Sequence, residues 1–223
     1  MPVIAFLTDH KAATLDAVSS TVEKFIADNK VADVELLPAA GSAGIEAAVN
    51  QEVRDAWLKM LMYIYGAVSI LCLIAFRSWR AVLVALLPLA LTSTLCEALM
   101  VALGIGVKVA TLPVIALGVG IGVDYALYLL SVQLNGQRAG MSLPDAYRAA
   151  LAFTGRIVAL VGFTLAAGVI TWAWSPIKFQ ADMGVLLAFM FLWNMLGALI
   201  LIPALSYFLL PTSAVAKQKP AAA

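Results

Sequence analysis

From Trp57 to Leu210 the chain alternates long apolar runs with short polar breaks. Five runs are long enough to cross roughly 30 Å of hydrocarbon as helices: Trp57–Phe76, Ala81–Leu103, Thr111–Gln133, Ile157–Trp174 and Met183–Leu210. The last is long for one crossing, so it is expected to tilt or to end near Pro203 with Tyr207 and Phe208 in the interface. Between the third and fourth runs, Asn135-Gly136 and Gly140 are expected to break the chain. Ser142-Leu-Pro144-Asp145 then opens a short amphipathic helix along the cytoplasmic face, carrying Tyr147, Leu151 and Phe153.

Before Trp57 the pattern changes. Val3–Leu7 reads as a strand, Leu15, Val18, Val22, Phe25 and Ile26 share one face of a helix, and Val34–Leu37 reads as a second strand. Such a unit buries too little apolar surface to stand alone and should dock on strands this sequence does not contain. Gly41 and Gly44 mark a turn before a helix that runs through Glu46, Glu52, Arg54 and Asp55 into the first span. The predicted fold is a membrane all-α bundle of five transmembrane helices, residues 56–210. A small α/β extracytoplasmic fragment, residues 1–55, precedes it, and a disordered cytoplasmic tail, residues 211–223, follows.

Composition agrees with a membrane location: 63% of the 223 residues are hydrophobic and 12% charged. Mean hydropathy is +0.98, which places the chain among integral membrane proteins. Charge then sets its direction. Arg77, Arg80, Arg138, Arg148, Arg156, Lys217 and Lys219 fall on one side, against Lys108 and Lys178 in the opposite short loops, so the first side is cytoplasmic. The expectation is a multi-pass protein of a bacterial inner membrane, with its N-terminal segment outside and its C-terminus inside. No basic leader follows Met1, so either the first span acts as a reverse anchor or the chain belongs to a longer one.

Several chemistries find no support. Cys72 and Cys96 lie within spans and read as packing residues rather than disulfide partners. His10 stands in a polar loop away from any ligand cluster, so no metal is expected. No nucleophile motif or phosphate-cradling loop appears. Gly118-x-Gly120-x-Gly122 has neither the spacing nor the strand-to-helix setting of a dinucleotide loop. No cofactor and no nucleic acid are expected, the latter because there is no basic patch.

The position that stands out is Asp124, in the middle of the third span. A carboxylate at mid-bilayer costs roughly 2.5 to 3.5 kcal/mol on insertion scales, so a chain that keeps one there usually uses it. At about 100° per residue, Asp124 shares a face with Gly120, Tyr128 and Ser131, while Gly118, Gly122, Tyr125 and Leu129 form an adjacent stripe. Glycines four apart let another helix approach closely. Asp124 is therefore expected to point into the bundle, with Tyr125 as its hydrogen-bond partner. Pro113 and the three glycines are expected to make the helix easy to bend. Desolvation disfavours a charged carboxylate, which would let this one load and release a proton near neutral pH.

The run Leu117-Gly-Val-Gly-Ile-Gly-Val-Asp124-Tyr125 resembles the tenth transmembrane helix of exporters of the resistance-nodulation-division superfamily. Phe76-Arg77-Ser78, Thr154-Gly155-Arg156, Phe179-Gln-Ala-Asp-Met183-Gly184 and Leu201-Ile-Pro203-Ala-Leu205 follow in the matching order. The combination is most similar to the hydrophobe exporters related to the mycobacterial large membrane proteins. The resemblance implies that the N-terminal unit is the last piece of a porter domain and that the five spans are helices eight to twelve of twelve. It also implies a proton relay at Asp124 and Tyr125. In such exporters a second aspartate-tyrosine pair faces this one from the fourth helix, and this chain has only one pair. Its partners would be membrane lipids, a hydrophobic or lipid substrate, and either a missing N-terminal half with the complementary pair or further copies of itself.

Three other polar positions compete for a role. Glu97 in the second span is either a coupling or substrate-path group or a carboxylate that snorkels to water. Thr164 and Asn194 either hydrogen-bond toward the relay or serve packing, Thr164 by bonding back to its own helix and Asn194 by joining two helices. The resemblance implies the C-terminal portion of a proton-driven exporter of hydrophobic or amphiphilic compounds. A proton-coupled accessory of protein export and an inactive relic or scaffold fit the same residues.

Overall fold

In the computed structural model, residues 12–29, 41–106, 109 and 111–210 are described, and no strand occurs among them. The expected strands Val3–Leu7 and Val34–Leu37, His10, and the tail after Leu210 lie outside the described residues. Five helical segments are long and apolar enough to cross a membrane: Gly44–Phe76, Trp79–Ala102, Leu112–Arg138, Leu143–Trp174 and Lys178–Leu209. Each overlaps one of the five expected runs, the first and fourth beginning well before it, at Gly44 and Leu143.

The chain divides into two compact units, one ending at Leu58 and the other beginning at Lys59. In the first, helix α1 (Ala12–Asp28) buries Leu15 and partly covers Val18, Val22 and Ile26. Phe25, expected on that face, is exposed instead; it lies about 80° around the helix from Leu15, at the edge of the stripe. Helix α2 (Ser42–Phe76) opens in this unit, where it buries Val53.

In the second unit, the rest of α2 is followed by α3 (Trp79–Ala102), α4 (Leu112–Arg138), α5 (Leu143–Ala150), α6 (Arg156–Ile170), α7 (Lys178–Leu196) and α8 (Ile202–Leu209). The core forms where α3, α4 and α7 meet, with α5 on α4 and α6 on α7. Side chains such as Ile115, Leu129, Leu186, Leu187 and Met190 fill it. Small residues set the close approaches. A Cβ on Gly184 would lie 2.7 Å from the Val169 carbonyl, and one on Gly162 would lie 2.8 Å from the Met195 Cβ, so α6 and α7 touch backbone to side chain. Cys72 and Cys96 are free and fully buried, as packing residues should be.

Three local expectations need correction. Asn135 and Gly136 do not break α4, which continues to Arg138. Gly136 instead makes room for α5, since a Cβ there would come within 3.0 Å of the Ala146 Cβ. The turn falls at Gly140, whose φ of +94° suits a residue without a Cβ. The amphipathic segment does begin at Ser142: its Oγ accepts the Asp145 N–H at 3.3 Å and donates to the Asp145 carboxylate at 2.6 Å. It is not a separate helix, however, because α5 passes through a π turn, Leu151–Gly155, directly into α6.

The helix of the last span continues past Pro203 to Leu209. A π turn at Gly197–Leu201 leads into α8, with Pro203 in its first turn. Proline has no N–H to return to the carbonyl four residues earlier, that of Leu199. Tyr147 supplies the missing donor: its Oη donates to the Leu199 carbonyl at 2.6 Å. Tyr207 and Phe208, beyond it, are exposed and pack edge to face. Pro113 falls in the first turn of α4, where a lost N–H costs nothing, so it opens the helix rather than bending it.

Candidate functional site

Helix α4 carries the candidate site, and its two stripes have opposite fates. Gly118 and Gly122 are buried against α7 and α3. A Cβ on Gly118 would sit 2.5 Å from the Met190 Sδ, and one on Gly122 would sit 2.5 Å from Leu89 Cδ2 and 2.6 Å from the Asn194 Cγ. Neither position has room for a side chain. The Asn194 amide enters this notch and donates through Nδ2 to the Gly118 carbonyl at 2.7 Å. Asn194 is thus the joint between α4 and α7, the packing role of the two open to it, and its Oδ1 is buried without a partner.

The second stripe faces away from the bundle. Leu117, Gly120, Asp124 and Tyr128 are exposed, Ser131 is partly so, and a Cβ on Gly120 would meet nothing within 4 Å. Asp124 therefore does not point into this chain's bundle, contrary to the sequence expectation. The glycine close packing that suggested it belongs to the neighbouring stripe. Asp124 and Gln133 stand about 180° apart around the helix, and Gln133 is wholly buried, so the carboxylate projects from the side opposite the packed face.

Tyr125 follows the packed stripe. It is 3% exposed, and its Oη finds no hydrogen-bond partner among the described residues. The structure consequently does not bring Asp124 and Tyr125 to one face: one ring is inside, and one carboxylate is outside.

Two of the competing polar positions make hydrogen bonds of the packing kind, Asn194 across to α4 and Thr164 within its own helix. Thr164 Oγ1 donates back to the carbonyls of Leu160 and Val161 at 2.9 and 3.0 Å, within its own helix. Glu97 is half-exposed near the end of α3, one turn beyond Ser93, whose Oγ shares a 2.7 Å hydrogen bond with the Tyr65 Oη of α2.

Four residues carry more than the sequence reading gave them. Arg138, at the end of α4, donates to the last carbonyl of α2, that of Phe76, at 2.9 Å, a favourable partner for a helix C-terminus. Arg77, just after it, adopts φ +52°, which turns the chain between α2 and α3. Gln133 and Gln137 are buried with both amide atoms unpartnered among the described residues, an unusual state for interior amides. Their spacing was visible, since Tyr125, Leu129, Gln133 and Gln137 step four at a time along one face. Gln133 is also the last residue of the expected third span.

Fold and site together define a multi-pass membrane protein that presents an ionisable residue on one uncovered helix face. The sequence profile of the MMPL family matches residues 7–220, and the chain belongs to that family. It is also similar to MJ1562 of Methanocaldococcus jannaschii, a protein whose name places it in the membrane and says no more. The two are 28% identical over 138 residues, 62% of this chain and 36% of that protein. The match thus spans about a third of the relative's length.

Proposed function

We propose that this chain is the C-terminal membrane portion of a proton-motive-force-driven exporter of hydrophobic or amphiphilic compounds, with lipids as the substrate class. The observation that carries the reading is the outward stripe of α4, with Asp124 at its centre. A carboxylate facing hydrocarbon is costly, and closed transport bundles turn such groups toward a second helix set. A companion half presenting its own aspartate-tyrosine pair would cover Gly120, Asp124 and Tyr128 and complete the relay. Protonation of Asp124 would then discharge the interface between the halves, and release of the proton would charge it again, which couples proton flow to their relative movement.

The companion is either an upstream part of the same polypeptide or a separate chain. Two copies of these five spans would not reproduce the pseudosymmetric pairing of complete halves. The charge distribution supports a plasma-membrane location with the C-terminus on the cytoplasmic side.

Proton-coupled efflux of a fluorescent lipophile from vesicles tests the reading, with the chain alone, the chain together with its companion half, and the latter with Asp124→Asn. Efflux should require the companion and vanish with asparagine. Efflux by the chain alone, or efflux indifferent to the substitution, would sink it.

A further inference from the structure

Where α5 widens into the π turn Leu151–Gly155, a cavity of about 430 Å³ opens beside it. Its rim holds Arg148 and Arg156, and its floor is apolar, made by Leu151, Ala159 and Leu199, with Gly155 between them. Gly155 keeps the floor compact: a Cβ there would lie 2.6 Å from Leu151 Cδ1 and 3.5 Å from Leu199 Cδ2.

The charge on the rim is only partly matched from within. Arg148 lies 3.9 Å from one oxygen of Asp145, and the other oxygen of that carboxylate is held by Ser142 Oγ. Arg148 is thus loosely paired at an exposed site, and Arg156 has no ion-pair partner among the described residues. Arg156 directly precedes the uncharged run Ile157–Trp174, so the rim stands at one end of that run and the floor leads into it. The cavity thus offers cations at headgroup level and hydrocarbon immediately beneath, the two ends of an anionic amphiphile. Arginine suits such a rim because its planar fork matches phosphate oxygens, and basic pockets between membrane helices are known seats of anionic lipid headgroups.

We infer that this cavity holds one anionic phospholipid, with its phosphate between Arg148 and Arg156 and an acyl chain over Leu151, Ala159 and Leu199. The lipid bridges two weak points of the fold. Its rim flanks the π turn before α6, and its floor includes Leu199 of the π turn before α8, the residue whose carbonyl Tyr147 holds. The site is independent of Asp124 and of any transported substrate, so it stands or falls apart from the export reading.

Native mass spectrometry of the purified full chain, offered equal phosphatidylglycerol and phosphatidylcholine, provides the test. One phosphatidylglycerol should be retained in preference. Arg148→Gln and Arg156→Gln should each weaken its retention about five-fold, and together about twenty-five-fold. Ala159→Phe, which fills the floor and leaves both charges, should weaken it too, whereas glycerol phosphate without acyl chains should not compete. On the unsubstituted protein, added salt should lower phosphatidylglycerol retention and leave phosphatidylcholine unaffected, a readout that needs no variant to fold. Equal retention of the two lipids, an unchanged double variant, displacement by glycerol phosphate, or insensitivity to salt would each overturn the assignment.

Discussion

The two stripes of α4 are built from the same few residue types, yet one is consumed by packing and the other is left free. On the inner stripe, Gly118 and Gly122 are glycine because Met190, Leu89 and Asn194 occupy the space a side chain would need. On the outer stripe, a Cβ at Gly120 would meet nothing within 4 Å among the described residues, and its neighbours one turn either way are Asp124 and Ala116. Absence of a Cβ is thus a finished contact on one side and an open one on the other. The contrast teaches that glycines in a membrane helix report a close approach without saying which molecule approaches. Here, half of that report is answered within the chain.

The sharpest way to break this division is Asp124→Asn, which should reduce proton-coupled efflux to background in the assembled transporter while leaving the thermal melting of the chain unchanged. A loss of stability instead would mean that Asp124 serves packing. Next in size is Gly122→Val, which forces Leu89 and Asn194 apart and should cost about 1–3 kcal/mol by overpacking, measured by reversible unfolding in detergent. Asn194→Leu keeps the branched outline of the side chain but removes the bond to the Gly118 carbonyl, and a loss of about 0.6–2 kcal/mol is expected from interhelical bonds of this kind. Smallest is Gly120→Ala, within about 0.5 kcal/mol for the chain alone, as at other exposed positions. Its effect should appear only in co-purification with the companion half. Equal destabilisation by Gly120→Ala and Gly122→Val would erase the distinction between the stripes.

The spans were legible because about twenty apolar residues in a row admit few other structures, and the stripe geometry of α4 followed from helical periodicity alone. What periodicity does not carry is which side of a helix its own chain will cover. Asp124 was placed inside because the glycines beside it imply contact, but the inner face was decided by Met190 and Asn194, more than sixty positions away. The continuity of α4 through Asn135-Gly136 was missed for a similar reason: local turn propensity lost to Ala146 packing against Gly136. Thr164 and Asn194, by contrast, make bonds that their chemistry alone suggests, one back to its own helix and one across to α4.

Tyr147 and Pro203 lie on different helices, yet they share one oxygen. Any residue other than proline at 203 would bring its own N–H to the Leu199 carbonyl and make the tyrosine a second, dispensable donor, while phenylalanine at 147 would remove the donor that stands in for the one proline lacks. Each substitution removes the reason for the other residue. Among sequences descended from a common ancestor, positions 147 and 203 are therefore expected to be inherited as a pair, and a lineage that loses the proline should soon lose the tyrosine.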